Sequence, residues 1–192
     1  MSGLKLATHG GPMLSGRAFR AQLLTQGQRE LFDYWRLAAA ERRMPARSDF
    51  DPLRVPRLLP SIGLIEVRGG LAEAVIRLAG TRLRDIYGGE ITGKLASEVF
   101  SGTQADYWHR VHARVLGEGV PLSGAVKGPA RDREHVILFW MRLPLSEDGG
   151  TVDRILCFDV PGPSAEICRS EDVSFPQARR YERPPGSRLQ VR

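Results

Sequence analysis

His109 and His112, three residues apart, are the groups in this chain best spaced to share a ligand. On a helix, positions i and i+3 are surface neighbours, and a neutral imidazole is a common metal ligand. Zinc would need further ligands to complete a tetrahedral set, and no nearby carboxylate or thiol spacing supplies them. The competing reading is one half-buried histidine bonded to a backbone carbonyl and one solvated histidine, and we prefer it. Arg77 and Arg82 flank Gly80-Thr81 and could grip an anion by bidentate pairing. They would serve equally as salt-bridged surface groups. Asp49 and Asp51 lie two apart in a loop-like stretch, and without a cleft such a pair is no sign of acid–base catalysis.

Motifs of established catalytic chemistry do not occur. There is no Gly-x-Gly-x-x-Gly, no phosphate-binding Gly-x-x-x-x-Gly-Lys-Ser/Thr and no His-Glu-x-x-His. A Gly-x-Ser-x-Gly elbow and a kinase signature set are also missing. No enzyme activity is expected. Cys157 and Cys168 are too few for a disulfide framework and form no Cys-x-x-Cys pair. A reduced, cytoplasmic setting follows as the simpler expectation. The longest apolar run, Val136–Met141, is far too short to span a bilayer. No secretion signal is recognisable at the N-terminus.

At 192 residues the chain suits one domain with extensions. Its net charge of +6 is unevenly placed. Residues 1–24 contribute Lys5, Arg17 and Arg20 without an acid, and residues 169–192 contribute six arginines against Glu171, Asp172 and Glu182. The stretch between is neutral. The excess therefore belongs to two Pro/Gly/Ser-containing ends, read as a disordered basic tail over 1–22 and a Pro/Arg-rich basic tail over 166–192. With no basic face interleaved with aromatics in the body, nucleic-acid binding is not expected.

Between the ends, periodicity and turn residues set out the elements. Thr25-Gln26-Gly27-Gln28 can form a capping box, and Leu31, Tyr34, Trp35 and Ala38 recur as one helical stripe. Pro45 stops that helix, and Asp51-Pro52 begins a short turn. Strands are expected at Ile62–Val67 and Ala72–Ala79, around Gly69-Gly70. Thr81 should cap a short helix closed by Gly88-Gly89. A helical turn near Ser97 and a helix from about Thr103 to Leu116 come next. Strands at Pro121–Lys127, His135–Leu143 and Val152–Asp159 complete an α+β fold with an antiparallel sheet.

The strand at His135–Leu143 is apolar on both sides, where a sheet with one wet face would alternate. Ile137, Phe139, Met141 and Leu143 point one way, and Val136, Leu138 and Trp140 the other. The long helix should cover one face. The Leu31/Tyr34/Trp35 stripe is expected on the face of Val136, Leu138 and Trp140, where a second copy of the chain could replace or extend it. These six residues are the interface candidates, and a homodimer is expected. Tyr87, Trp108, Phe139 and Met141, with His112, Arg77 and Arg82, are the candidate lining of a small-molecule pocket, weighed against plain core packing.

Five blocks carry a family resemblance: Tyr34-Trp35, Pro45-Ala46-Arg47-Ser48-Asp49-Phe50-Asp51-Pro52, Leu58-Leu59-Pro60, Arg77-Leu78-Ala79-Gly80-Thr81 and Tyr87-Gly88-Gly89. Together they resemble small bacterial single-domain proteins of the PAS superfamily, over roughly residues 29–160. The resemblance implies a PAS-like five-stranded antiparallel sheet, with short helices and one long helix on one face and the N-terminal amphipathic helix on the other, in a domain spanning 23–165. It implies a non-catalytic sensory or signalling module that binds a small molecule, docks on an unidentified signalling protein in trans, or both. A ligand-free dimerisation or interaction adaptor is the alternative. Some members hold haem through a histidine on the long helix, so a haem or metal sensor using His112 stays open, although no cofactor is expected. Flavin photochemistry would need a cysteine before that helix, and both cysteines lie beyond it.

Overall fold

A computed structural model of the chain describes residues 13–128, 136–162 and 179–181. Five strands form its antiparallel core: β2 (Ile62–Glu66), β3 (Val75–Ala79), β4 (Leu122–Lys127), β5 (Ile137–Leu145) and β6 (Arg154–Gly162). They pair in the order β4-β5-β6-β2-β3, as the α+β PAS-like expectation requires. Two short strands extend the β4 edge. β7 (Arg179–Tyr181) pairs antiparallel with β4, and β1 (Met13–Leu14) runs parallel to β7.

Five α-helices accompany the sheet: α1 (Gly16–Ala21), α2 (Gln26–Ala39), α3 (Thr81–Tyr87), α4 (Ala96–Val99) and α5 (Ala105–Glu118). The capping box of α2 forms as expected, with Thr25 Oγ1 accepting from Gln28 N and Gln28 Oε1 accepting from Thr25 N. α2 ends at Ala39, before Pro45 is reached, on Ala40 with a positive φ of 49°. Its buried stripe is Leu31, Phe32, Trp35 and Ala39, rotated from the expected one, and Tyr34 sits half-buried beside it. In α3, Thr81 is the first helical residue and Gly80 occupies the cap, so Thr81 does not cap that helix.

Gly80 explains why two of the sequence blocks belong together. A Cβ at this position would lie 2.1 Å from Leu59 O and 2.5 Å from Pro60 O, so only glycine lets the end of β3 approach the Leu58-Leu59-Pro60 turn. The linker between α2 and β2 is likewise fixed by short polar contacts. Asp49 accepts from Arg42 Nη2 and from Ala46 N at 2.7 Å. Asp51 Oδ1 caps Leu53 N at 2.9 Å, and Tyr34 Oη accepts from Asp51 N at 2.7 Å. Arg47 bonds Phe50 O inside the linker. Tyr34 and Arg42, both from the α2 side, tie the linker to the body.

Which helix covers which sheet face reverses the sequence expectation. Gly27 of α2 packs against the Phe158 ring, and Phe158 shares its face with Met141 and Leu156 through the β5–β6 and β2–β6 registers. α2 therefore lies over Ile137, Phe139, Met141 and Leu143. Trp140 meets α5 instead, its ring 5.4 Å from that of Trp108, and Leu138 shares that side. Strand alternation told the two sets apart, but both are apolar, so nothing in the pattern said which set faced which helix.

The two ends also differ from expectation. Ser15 Oγ accepts from Ala18 N to start α1, and Phe19 is fully buried with its ring 4.9 Å from Phe32. Arg20 Nε pairs with Asp33 at 2.8 Å. Residues 15–22 thus belong to the packed body, because one aromatic side chain anchors a short capped helix onto α2. At the other end, 179–181 add a strand to the sheet. The rest of both expected tails, residues 1–12, 163–178 and 182–192, lies outside the described residues.

Candidate functional site

On the α5 side, a salt bridge spans the two middle strands. Arg142 of β5 and Asp159 of β6 share one sheet face, and neither side chain is more than 2% exposed. Arg142 Nη1 donates to Asp159 Oδ1 at 2.6 Å, and Nη2 donates to Oδ2 at 3.2 Å. Nη1 also reaches Met141 O at 3.0 Å. The remaining edge, Nε, donates to His112 Nε2 at 3.3 Å. Tyr87 Oη donates to Asp159 Oδ2 at 2.9 Å. A buried ion pair is tolerated only when such extra bonds satisfy its remaining polar groups, and here they do.

Three aromatic rings enclose the guanidinium. Its carbon lies 4.7 Å from the Trp108 centroid, 5.5 Å from Phe100 and 5.8 Å from Trp140, within cation–π range. His112 stacks on Trp108 at 5.8 Å and meets Phe100 edge-on at 4.9 Å. Trp140 fits because Gly124 stands opposite it on β4.

These surroundings set the protonation states. Burial holds His112 well below the ordinary histidine range, and the Arg142 charge pushes the same way. The imidazole is neutral. Since Arg142 Nε is always a donor, His112 Nε2 is the acceptor and its proton sits on Nδ1. Burial also raises Tyr87 well above an ordinary phenol, with Asp159 adding to it. For Arg142, burial is the largest influence and works against the charged form, but Asp159, Cys157 and Tyr87 together outweigh it and raise the pKa above that of a free arginine. Burial pushes the Cys157 thiol, opposite Arg142 in register, up to about 12. The buried cluster thus combines a salt bridge with a neutral imidazole.

A cleft of about 310 Å³ opens onto this cluster. The turn Leu71–Glu73, α4 and α5 form its walls, with Leu71, Ala96, Phe100 and Trp108 as apolar lining and Ser97 and Asp106 as polar groups. His109 and His112 both line it. His112, only 4% exposed, touches the cleft on one side and accepts the Arg142 hydrogen bond on the other.

Of the residues expected to line a pocket, Tyr87, Trp108 and His112 converge here. Phe139 and Met141 do not, because they point to the α2 face. Arg77 pairs with Glu66 at the surface, and Arg82 Nη1 donates to Ser61 Oγ at 3.1 Å. Sequence reasoning missed Arg142, Asp159 and Phe100. The signal was an arginine inside an otherwise apolar strand, two residues after Trp140 and so on the same face. The interface candidates Leu31, Trp35, Leu138 and Trp140 are buried within the chain itself. Trp35 Nε1 donates to Pro144 O at 2.9 Å, and Gln28 Nε2 to Trp140 O at 3.1 Å. The α2 stripe is therefore used from within.

Haem ligation does not fit these residues. His112 Nε2 is engaged by Arg142, so an iron there would replace that bond and sit beside a guanidinium. Among the described residues no cluster of three or more His, Cys, Asp or Glu could hold a metal ion. Cys157 lies on β6 and not in the helical segment before α5, and its thiol donates to Ile155 O.

The chain was compared with known families, curated proteins and solved structures. The family model described as PAS domain matches residues 24–158. A sensory box sensor histidine kinase from Vibrio cholerae is similar in structure, with TM-score 0.41 and 21% identity over 58% of this chain and 88% of that one. A variant of RsLOV gives TM-score 0.45 and 15% identity, over 75% of this chain and 73% of that one. A search of curated proteins returns no match. Among the described residues no helix is long and apolar enough to cross a membrane.

Proposed function

Because the chain belongs to the PAS domain family, we propose that it is a non-catalytic sensory module that reads a small molecule in the cleft between α4 and α5 and signals to a partner protein in trans. One observation carries this reading: His112 lines the cleft and holds Arg142, whose ion pair ties the central strands together. A ligand that takes the imidazole's exposed edge would change the hydrogen bond to Arg142, and so load the sheet. A mostly apolar wall with a few polar groups suits a small, flat, largely uncharged molecule. The step from fold to sensing is by analogy with the family. We place the protein in the cytoplasm. Self-association into a homodimer would have to use surface other than the α2 stripe.

A screen of small aromatic and heterocyclic fragments by amide chemical-shift mapping tests the reading. We expect shifts at Ser97, Trp108 and His112 that extend to Arg142 and Asp159, and their loss in His112→Ala. If no fragment enters the cleft, or shifts stop at its rim, the module is a ligand-free adaptor. That second reading has its own support, since every nitrogen of Arg142 is already satisfied by the protein.

A further inference from the structure

On the opposite sheet face, the linker of residues 47–60 lies over the β2–β3 end. A groove of about 420 Å³ runs there between the sheet and the linker of residues 47–60. Ile62, Leu64 and Leu156 form its floor, and Phe50, Pro56 and Leu59 stand on the linker side. The described residues include four exposed large apolar side chains, and two of them are here. Leu78, 43% exposed, lines the groove, and Leu53, 82% exposed, follows the lining residue Pro52.

The rim is basic. Arg47 lines the groove, Arg54 and Arg57 alternate with its linker prolines, and Arg82 follows the lining residue Thr81. Arg47 donates to Phe50 O and Arg82 to Ser61 Oγ, and among the described residues neither meets a carboxylate. Arg54 and Arg57 are exposed and have no ion pair among the described residues. The linker's own acids are occupied, Asp49 by Arg42 and Asp51 by the Leu53 amide. An apolar trough with Arg47 in its lining and Arg54, Arg57 and Arg82 near lining residues in the chain, none of them ion-paired among the described residues, is complementary to apolar anchors flanked by carboxylates. Polyanions such as nucleic acid would find charge here but no use for the trough.

We propose that this groove docks an acidic segment of a partner protein, with apolar side chains seated on Ile62, Leu64 and Leu78 and carboxylates paired to Arg54, Arg57 and Arg82. The proposal uses none of the cleft residues and goes beyond the sensing reading. It gives the output in trans a physical address: β6, which carries Asp159 in the buried ion pair, also carries Leu156 in the groove floor.

Selection of displayed random dodecapeptides on the full chain tests it. Enriched peptides should combine apolar residues with Asp and Glu. Their binding, read by fluorescence anisotropy, should weaken at least tenfold in Arg54→Glu/Arg57→Glu and in Leu78→Asp, and should fall with added salt. All three positions are exposed, so melting temperature should hold and report an intact fold. This peptide binding needs no fragment in the cleft, so it can fail or hold separately from the cleft reading. Enrichment of basic or neutral peptides, no enrichment, or equal binding by the variants would overturn it. So would sedimentation showing that Leu78→Asp dissociates a dimer of the wild-type chain, since the occupant would then be a second copy.

Discussion

Arg142 and Asp159 form a two-pronged ion pair on adjacent strands, sealed from solvent by Trp108, Phe100 and Trp140. Removing one member leaves the other charge buried without its partner, a loss of about 3–5 kcal/mol. Asp159→Leu and Arg142→Met should each shift urea unfolding by that order. The triple variant Arg142→Met/Asp159→Leu/Tyr87→Phe removes the charges and the phenol donor together, and should recover most of the loss. Additive losses in the triple would show that the pair acts through something other than mutual compensation.

His112 makes stability depend on pH with a definite sign. Its folded pKa is depressed, whereas in the unfolded chain it titrates at about 6.5. As pH drops below about 6.5 the unfolded chain takes up a proton that the folded chain refuses. The contribution is therefore complete above that pH and declines as acidity rises, by up to about 1.4 kcal/mol per pH unit. Arg142 disfavours the protonated form further, and His109 adds slightly in the same direction. Asp49 and Glu66, both lowered by arginine partners, lose their contribution in a separate window near the ordinary carboxylate range. Unfolding titrations at pH 5–7 should show the slope in the wild type and its disappearance in His112→Gln, which keeps an acceptor for Arg142. An unchanged slope in that variant would assign the effect elsewhere.

The fold was legible because its punctuation is strong. Thr25-x-x-Gln28 starts α2, Gly88 closes α3 in the left-handed region, and turn residues separate β4, β5 and β6. Half of the site was legible too: helix periodicity set His112 near the Trp108 face, and Tyr87 was a pocket candidate through the family resemblance. The other half was not, because Arg142 and Asp159 look like surface charges until the strand register sets both on one face. Periodicity also ranks residues by face but cannot choose which layer covers that face, which is why Phe139 and Met141 were placed on the wrong side. Phe19 escaped notice because a six-residue helix gives too short a pattern to register against its Gly- and Ser-rich surroundings.

Gly124 is expected to be intolerant of even one methyl group. Its added Cβ would lie 2.6 Å from the indole of Trp140, directly opposite it on β5. That ring is held between the sheet and the Trp108 and Tyr107 rings, so relief would require the aromatic stack over Arg142 to move. Overpacking of this kind costs about 1–3 kcal/mol. Gly124→Ala should melt lower by that order, and the double variant with Trp140→Phe should lose less than the sum of the two single changes. Additivity would mean that the two positions do not compete for space.

Phe19 supplies the sharpest check on the N-terminal segment. Its ring is fully buried against Phe32, while Ser15 caps the helix that presents it and Arg20 pairs with Asp33 of α2. Truncating a buried phenylalanine costs about 3–5 kcal/mol, whereas the Arg20–Asp33 pair, more than two-fifths exposed on both sides, should contribute at most about 1 kcal/mol. Phe19→Ala and deletion of residues 1–24 should therefore destabilise the domain similarly, and Arg20→Ala should do so far less. Deleting residues 1–12 alone removes none of these contacts and is expected to leave the melting temperature nearly unchanged. A Phe19→Ala protein that melts like the wild type would show that α1 does not hold to α2 in solution, and the segment would return to being a free basic tail.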